Sequence, residues 1–516
     1  MFRMKRLPVG IQSFENIRTE NYYYVDKTQF VKKLVDEGKY YFLSRPRRFG
    51  KSLFLDTLRQ AFLAKKELFK GLYLENNWDW SIKYPVIYIS FGSGVHRNVQ
   101  ELQETENVIL KKHEEKYQIQ SDFPSIKDRF ADIIEKIYQK YGQKVVVLID
   151  EYDKPILDNI NKIEIATEIR EELKNFYSVL KDADPYLKFV FITGVTKFSK
   201  VSLFSGLNNL KDVTLHGGYA TICGYTQAEF EKTFADRLEG VDLDEVRRWY
   251  NGYSWLGKPV YNPFDILLFL DLKEFRPYWF ETGTPSFLIK LILEKRLSVP
   301  TFENLELGDE IIESFDVDRI YPESLLFQTG YLTIKEVKKR RAILKYRLGW
   351  PNLEVKVSFN NYLLNTFLDL IEKEKNLDRV YEALEKNDLE GLKEAFKAFF
   401  ASIPHDWYRK TELHHYEGFY ASVFYAYFAA LGVEVKVEDA TSHGRLDMAV
   451  LFDGICYLFE FKVVELEPEN QALSQLKAKK YHEKYLGRCQ KVYLIGVEFS
   501  KKERNIVGFE WEEVSS

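Results

Sequence analysis

The chain has 516 residues, 45% hydrophobic and 16% aromatic, with 74 Lys plus Arg against 78 Asp plus Glu. That length predicts several domains, and the apolar content excludes a fibre, a small stapled module and long disorder. A formal net charge of -4 excludes a histone-like mode of binding, so any nucleic-acid contact must be a local patch. Cys223, Cys456 and Cys489 form no CxxC pair, which predicts neither a zinc site nor a disulfide framework. The longest apolar stretch, near Tyr420 to Val433, is too short to span a bilayer. Pro8 and Gly10 stand where a signal peptide needs an apolar run. These features predict a soluble, cytoplasmic chain with no membrane partner.

In chain order, KYYFLS (Lys39 to Ser44) reads as a strand, RPRRFGKS (Arg45 to Ser52) as a loop, and LFLDTLRQAFL as a helix. PVIYISF (Pro85 to Phe91), VVVLIDE (Val145 to Glu151) and KFVFITGV (Lys188 to Val195) are further strand candidates separated by helical stretches. Buried β-branched runs alternating with helices predict an α/β fold with a parallel sheet covered on both faces. From about His216 the pattern turns helical, with aromatic and Gly-rich punctuation in WYNGYSW (Trp249 to Trp255) and YNPFD (Tyr261 to Asp265). Packing and turn chemistry explain these better than base stacking. The KKRR run (Lys338 to Arg341) reads as a solvated face.

Gly50, Lys51 and Ser52 lie between a strand and a helix, where backbone N–H groups and a helix N-terminus can cradle phosphates. Lys51 is placed for the β and γ oxygens and Ser52 for Mg²⁺. Arg45 replaces the first Gly of the usual pattern, and Arg47 and Arg48 add positive charge nearby. Asp150 and Glu151 end a fully apolar strand, where carboxylates need partners; Asp150 suits the Mg²⁺ shell and Glu151 the polarising of a water. Thr193, ending the next strand, is placed to sense a γ-phosphate. YYYVDKTQFV, RPRRFGKS, VLIDEYDKP, FITGVTKFSKVSLFSGLNNL, WYNGY and YNPFD together resemble the predicted AAA-ATPase-like proteins of bacteria. That resemblance implies a P-loop ATPase of the additional-strand, catalytic-Glu type.

The last segment reads helix, strand, strand, strand, helix, strand. A helix from about His415 to Leu431 carries Glu417. RLDMAVLFD (Arg445 to Asp453) and GICYLFEFKVV (Gly454 to Val464) form a hairpin about Asp453-Gly454. A helix over about Asn470 to Tyr485 precedes KVYLIGV (Lys491 to Val497). Strand alternation points Glu460 and Lys462 the same way, and Asp447 on the partner strand can face them. Facing carboxylates repel unless a cation lies between, and an all-oxygen site suits Mg²⁺ or Mn²⁺. Lys462 can then stabilise a charged phosphorane, the logic of metal-assisted phosphodiester hydrolysis. A surface hairpin with a Glu–Lys pair is the alternative. Order and motif are similar to the PD-(D/E)XK nuclease superfamily, which implies a metal site of Glu417, Asp447, Glu460 and Lys462, with Leu446-Asp447 in place of Pro-Asp. Gln475 and Tyr481 resemble a supporting motif of some nuclease branches, although core helix positions explain both better. His443, before Gly444-Arg445, is open to either a phosphate contact or a loop-capping role, and HDWYRKTELHH (His405 to His415) is not read as a metal site.

The expected organisation is an ATPase domain over residues 1–215 and a helical lid with a winged-helix-like region over 216–358. A helical linker, 359–402, leads to a nuclease-like domain over 403–516. The expected activity is an ATP-dependent or ATP-regulated nuclease, acting on DNA in preference to RNA, with ATP and Mg²⁺ or Mn²⁺ as cofactors and homo-oligomerisation open. Defence or mobile-element biology is the setting by analogy. The alternative is a nucleotide-driven switch whose nuclease fold binds nucleic acid without cutting it.

Overall fold

The computed structural model describes residues 4–197, 209–280, 286–312, 317, 319–341, 343–403, 417–441 and 444–514. The chain forms two compact units, Met1–Trp279 with Leu307–Arg347, and Phe280–Glu306 with Leu348–Ser516.

The first unit is built on a parallel sheet of β1 (Tyr40–Ser44), β2 (Val86–Ser90), β3 (Val145–Asp150), β4 (Leu187–Gly194) and β5 (Lys211–Asp212), in the order β2-β3-β4-β1-β5. Every residue of β1 and β3 is buried, so both faces of the sheet are covered and the apolar runs need no alternation. β4 lies between β1 and β3, which inserts a strand between the one feeding Gly50-Lys51-Ser52 and the one ending in Asp150. The sequence places PVIYISF between those two strands along the chain; in space it is β2, at the sheet edge. The charged stretch before β3 is two helices, Val99–Tyr117 and Ile126–Tyr141. Ser125 caps the second by accepting from Asp128 N–H, and Gly142 ends it at φ 65°, a conformation that costs glycine little.

Leu305–Gly308 (β6), Thr333–Arg340 (β7) and Ile343–Gly349 (β8) make a small sheet in the order β6-β8-β7. In the second unit, helices Leu353–Asn365, Leu370–Glu385 and Leu389–Ser402 precede a five-stranded sheet. Its strands are β9 (Glu434–Thr441), β10 (Gly444–Phe452), β11 (Ile455–Val464), β12 (Lys491–Ser500) and β13 (Ile506–Val514), ordered β13-β12-β11-β10-β9. β11 and β12 are parallel; the other pairs are antiparallel. Asp453 at φ 44° and Gly454 at φ 79° make the predicted tight turn between β10 and β11. β13 is an edge strand that the sequence pattern did not announce.

Alternation along β11 serves two helices. Phe459 and Phe461 meet Phe424 of helix Glu417–Ala430 at ring distances of 5.9 and 5.1 Å. Leu458 turns the other way, toward Leu476 of helix Gln471–Lys479. Each fully buried Phe contributes about 1.5–3 kcal/mol, which holds that face of β11 against the helix Glu417–Ala430. Helix Gln471–Lys479 is shorter than predicted, because Lys480 takes a left-handed backbone (φ 47°) and a 3-10 turn, Tyr481–Lys484, follows. Cys456, on β11, and Cys489, just before β12, are joined as a disulfide with Cα atoms 6.0 Å apart. This corrects the expectation of none: parallel pairing of β11 with β12 aligns Cys456 with Val492 and so draws Cys489 close. Among the described residues, no helix is long and apolar enough to cross a membrane.

Candidate functional site

Two constellations emerge, one in each unit. In the first, β1 delivers the loop Arg45–Gly50 to the helix Lys51–Phe62, whose N-cap Gly50 has φ 88°. Lys51 is buried, and its Nζ donates to the carbonyls of Arg45 and Pro46, both at 2.9 Å. Burial lowers its pKa, with Asp150 and then Glu151 opposing, so Lys51 lies in the field of both carboxylates. Asp150 is 3% exposed. It accepts from the Thr193 hydroxyl at 2.7 Å and from Glu151 N–H at 3.0 Å. Glu151 has φ 52°, a conformation costly outside glycine. Burial, then Asp150, raises its pKa. Asp153 ties the end of β4 to the end of β3 by accepting from Val195 and Thr196 N–H groups.

Arg45, in place of the usual Gly, is fully buried. Its guanidinium donates to the Ser44 and Thr214 carbonyls at 2.8 and 2.9 Å and stacks 4.2 Å from the Trp255 ring. The rest of the loop is held from outside in the same way. Gly330 packs against Pro46, and Trp279 Nε1 donates to Arg47 O at 3.1 Å. Arg48 lies over Phe264, and Phe49 meets Tyr253 and Trp255 edge-on. WYNGYSW and YNPFD therefore act as packing around this loop. The Arg47 and Arg48 side chains are exposed, and Ser52 is half-buried in the first turn of the helix. A cavity of about 50 Å³ beside Gly50 is lined by Tyr24, Lys27, Phe49, Ile222 and Cys223 among others.

In the second unit, backbone pairing of β10 with β11 stops at Met448–Phe459. Beyond it the Asp447 carboxylate accepts from Phe461 N–H at 2.9 Å. Lys462 Nζ lies 3.3 Å from Glu460 Oε1 and donates to Phe461 O at 3.0 Å. Glu460 is 1% exposed, and burial, then Asp447, pushes its carboxyl up to about 7. Burial alone would lower Lys462, but Glu417, Glu460 and Asp447 together outweigh it and raise the ammonium. Burial likewise raises Asp447 and Glu417, with the Lys462 charge opposing.

Gln475 was better explained as a core residue; it instead donates its amide to Glu460 Oε1. Tyr481 is buried beside it, its hydroxyl raised by burial and then by Glu460. The break at Lys480 is why a six-residue spacing still brings both to one place. His443, the run from His405 to His415 and the FSKVSLFSGLN part of FITGVTKFSKVSLFSGLNNL lie outside the described residues.

A hard divalent cation fits the donors of this second site. They are carboxylate oxygens, and Glu460 Oε2 is buried with no hydrogen-bond partner among the described residues, a costly state unless a cation or proton satisfies it. Among the described residues, no group of three or more His, Cys, Asp or Glu side chains is gathered closely enough to hold a metal ion.

A predicted AAA-ATPase family model matches residues 8–204, and a PD-(D/E)XK nuclease superfamily model matches residues 415–509. The chain belongs to the family that joins a predicted AAA-ATPase domain to a C-terminal PD-(D/E)XK nuclease superfamily domain. A relative, the uncharacterized protein in the vnfD 5′ region of Azotobacter chroococcum mcd 1, is 52% identical over 507 residues, 98% of each chain. Among solved structures, the Aeropyrum pernix Orc1 protein in complex with DNA is matched over 65% of this chain and 91% of that one, at 10% identity and a TM-score of 0.25. That likeness is too slight to bear on fold or function.

Proposed function

We propose that this chain is an ATP-dependent or ATP-regulated, metal-dependent nuclease that hydrolyses nucleic-acid phosphodiesters, DNA in preference to RNA. The observation that carries the reading is the grouping of Asp447, Glu460 and Lys462 where β10 and β11 part, with one buried Glu460 oxygen left open. Asp447 and Glu460 are the metal ligands, and Glu417 is a further acid. Lys462 holds a cationic hydrogen-bond donor beside them, suited to charge developing on the phosphorus oxygens. A bound Mg²⁺ or Mn²⁺ supplies Lewis-acid polarisation and a more acidic attacking water.

The ATPase head spans residues 1–215 and the nuclease-like domain residues 403–516, joined through a helical lid with a winged-helix-like region and a helical linker. Lys51 contacts the triphosphate; Ser52 and Asp150 hold its Mg²⁺; Arg47 and Arg48 add charge. Glu151 takes the proton of the attacking water, and Thr193, bonded to Asp150, orients the γ-phosphate end. Defence against foreign DNA or mobile-element biology is the setting this chemistry would serve.

The deciding measurement is cleavage of DNA and RNA by the purified chain with Mg²⁺ or Mn²⁺, with and without ATP. Metal-dependent cutting that responds to ATP is expected. If neither nucleic acid is cut under any of these conditions, a nucleotide-driven switch that binds nucleic acid without cutting it becomes the better reading.

A further inference from the structure

β12 runs beside β11 in a register that sets Gly496 opposite Glu460 and Glu498 opposite Lys462. Both β12 positions act on the helix Gln471–Lys479. A Cβ added at Gly496 would collide with the Leu473 backbone, so the helix rests directly on the strand at that level. Glu498 is 2% exposed. Its Oε2 accepts from Glu469 and Asn470 N–H groups at 2.6 and 3.0 Å, and its Oε1 from Gln471 and Ala472 at 2.6 and 3.2 Å.

Three of them, at Asn470, Gln471 and Ala472, are amides that a helix start leaves without intrahelical partners. The helix's own N-cap, Asn470, has a left-handed backbone and makes no side-chain cap bond. A carboxylate from a neighbouring strand does that work, favoured also by the positive end of the helix dipole. The same helix carries Gln475, bonded to Glu460 Oε1.

We infer that Glu498 is a positioning residue for the second site. It grips the helix start, the helix fixes Gln475, and Gln475 fixes the Glu460 carboxylate with Oε2 open. The inference rests on the metal-dependent nuclease reading of that site. Both Glu498 oxygens are taken by amides, so Glu498 acts through Gln475 and not as a ligand.

The test uses the full-length chain, with Mn²⁺ alone as the probe, read by electron paramagnetic resonance. Glu498→Gln keeps the shape but turns an amide NH₂ toward backbone donors. It should weaken Mn²⁺ binding about tenfold, as should Gln475→Ala, and the double variant should fall no further than the weaker single. Amide exchange should quicken over residues 469–479 alone, and kcat for DNA cleavage should fall with KM unchanged. Gly496→Ala, which lifts the same helix at a second point, should reproduce the pattern, and it decides the matter if Glu498→Gln does not fold.

Wild-type Mn²⁺ affinity in Glu498→Gln, or losses that multiply in the double variant, overturn the inference. A wild-type chain that neither binds Mn²⁺ nor cuts overturns the nuclease reading and the inference together. A wild-type chain that binds and cuts, with Glu498→Gln indifferent, overturns the inference alone.

Discussion

Lys51 and Glu151 sit in opposite kinds of strain. Lys51 is a buried cation whose nearest partners are loop carbonyls, so its charge is underused until an anion arrives. A charge-assisted contact is worth about 1.5–3 kcal/mol. Lys51→Ala should therefore weaken ATP binding roughly tenfold or more; unchanged affinity by isothermal titration would remove Lys51 from the site. Glu151 instead holds a left-handed backbone, which costs about 1–2 kcal/mol outside glycine. Burial, then Asp150, raises its pKa, the direction that favours taking up a proton. Glu151→Gln keeps the shape and loses the base, so ATP should bind and persist unhydrolysed. Normal turnover in that variant would reassign the residue.

Helix Val99–Tyr117 carries an acid that its surroundings do not welcome. Glu106 is fully buried, and neither carboxyl oxygen has a hydrogen-bond partner among the described residues. Burial, then the Glu172 charge, pushes it from 4.5 up to about 9. The folded state therefore holds a proton that the unfolded chain releases above 4.5. The stability this proton confers is complete below 4.5 and drains away as pH climbs toward 9, at about 1.4 kcal/mol per pH unit. Glu106→Gln should raise the melting temperature by several degrees at pH 8 and by little near pH 4.5. A constant difference across that range would show that ionisation is not the cause.

The elements also show what a sequence can reveal. β1, β3, β4 and the β10–β11 hairpin were legible because β-branched runs and an Asp-Gly turn are local signals. β13 was not, since IVGFEWEEV is one-third acidic and lies on an edge. Gln475 was masked by the helix break at Lys480, and Glu498 could not be read at all: its partners are backbone amides that have no sequence signature. Likewise the Cys456–Cys489 pairing follows from strand register, which spacing alone does not reveal.

At the scale of the whole molecule, the two constellations belong to separate compact units, and Asp447 is nearly three hundred residues from Asp150 along the chain. Asp447→Ala should accordingly abolish Mg²⁺- or Mn²⁺-dependent cleavage while leaving ATP hydrolysis without nucleic acid largely intact. Lys462→Ala should slow cleavage more than it weakens metal binding. Circular dichroism must show that folding survives in both. Cleavage by Asp447→Ala at the wild-type rate would mean that the site lies elsewhere. An equal loss of ATP hydrolysis would mean that the two chemistries are not separable.

The indoles of Trp255 and Trp279, one stacked on Arg45 and the other bonded to the Arg47 carbonyl, make the loop optically visible. Indole emission responds to a nearby cation and to the strength of the bond its N–H donates. ATP seated on Gly50 to Ser52 would disturb both, so intrinsic fluorescence should shift on titration without any added label. Trp255→Phe and Trp279→Phe should each remove part of that change, and the double variant nearly all of it. A signal that survives in the double variant would show that nucleotide is sensed elsewhere in the chain.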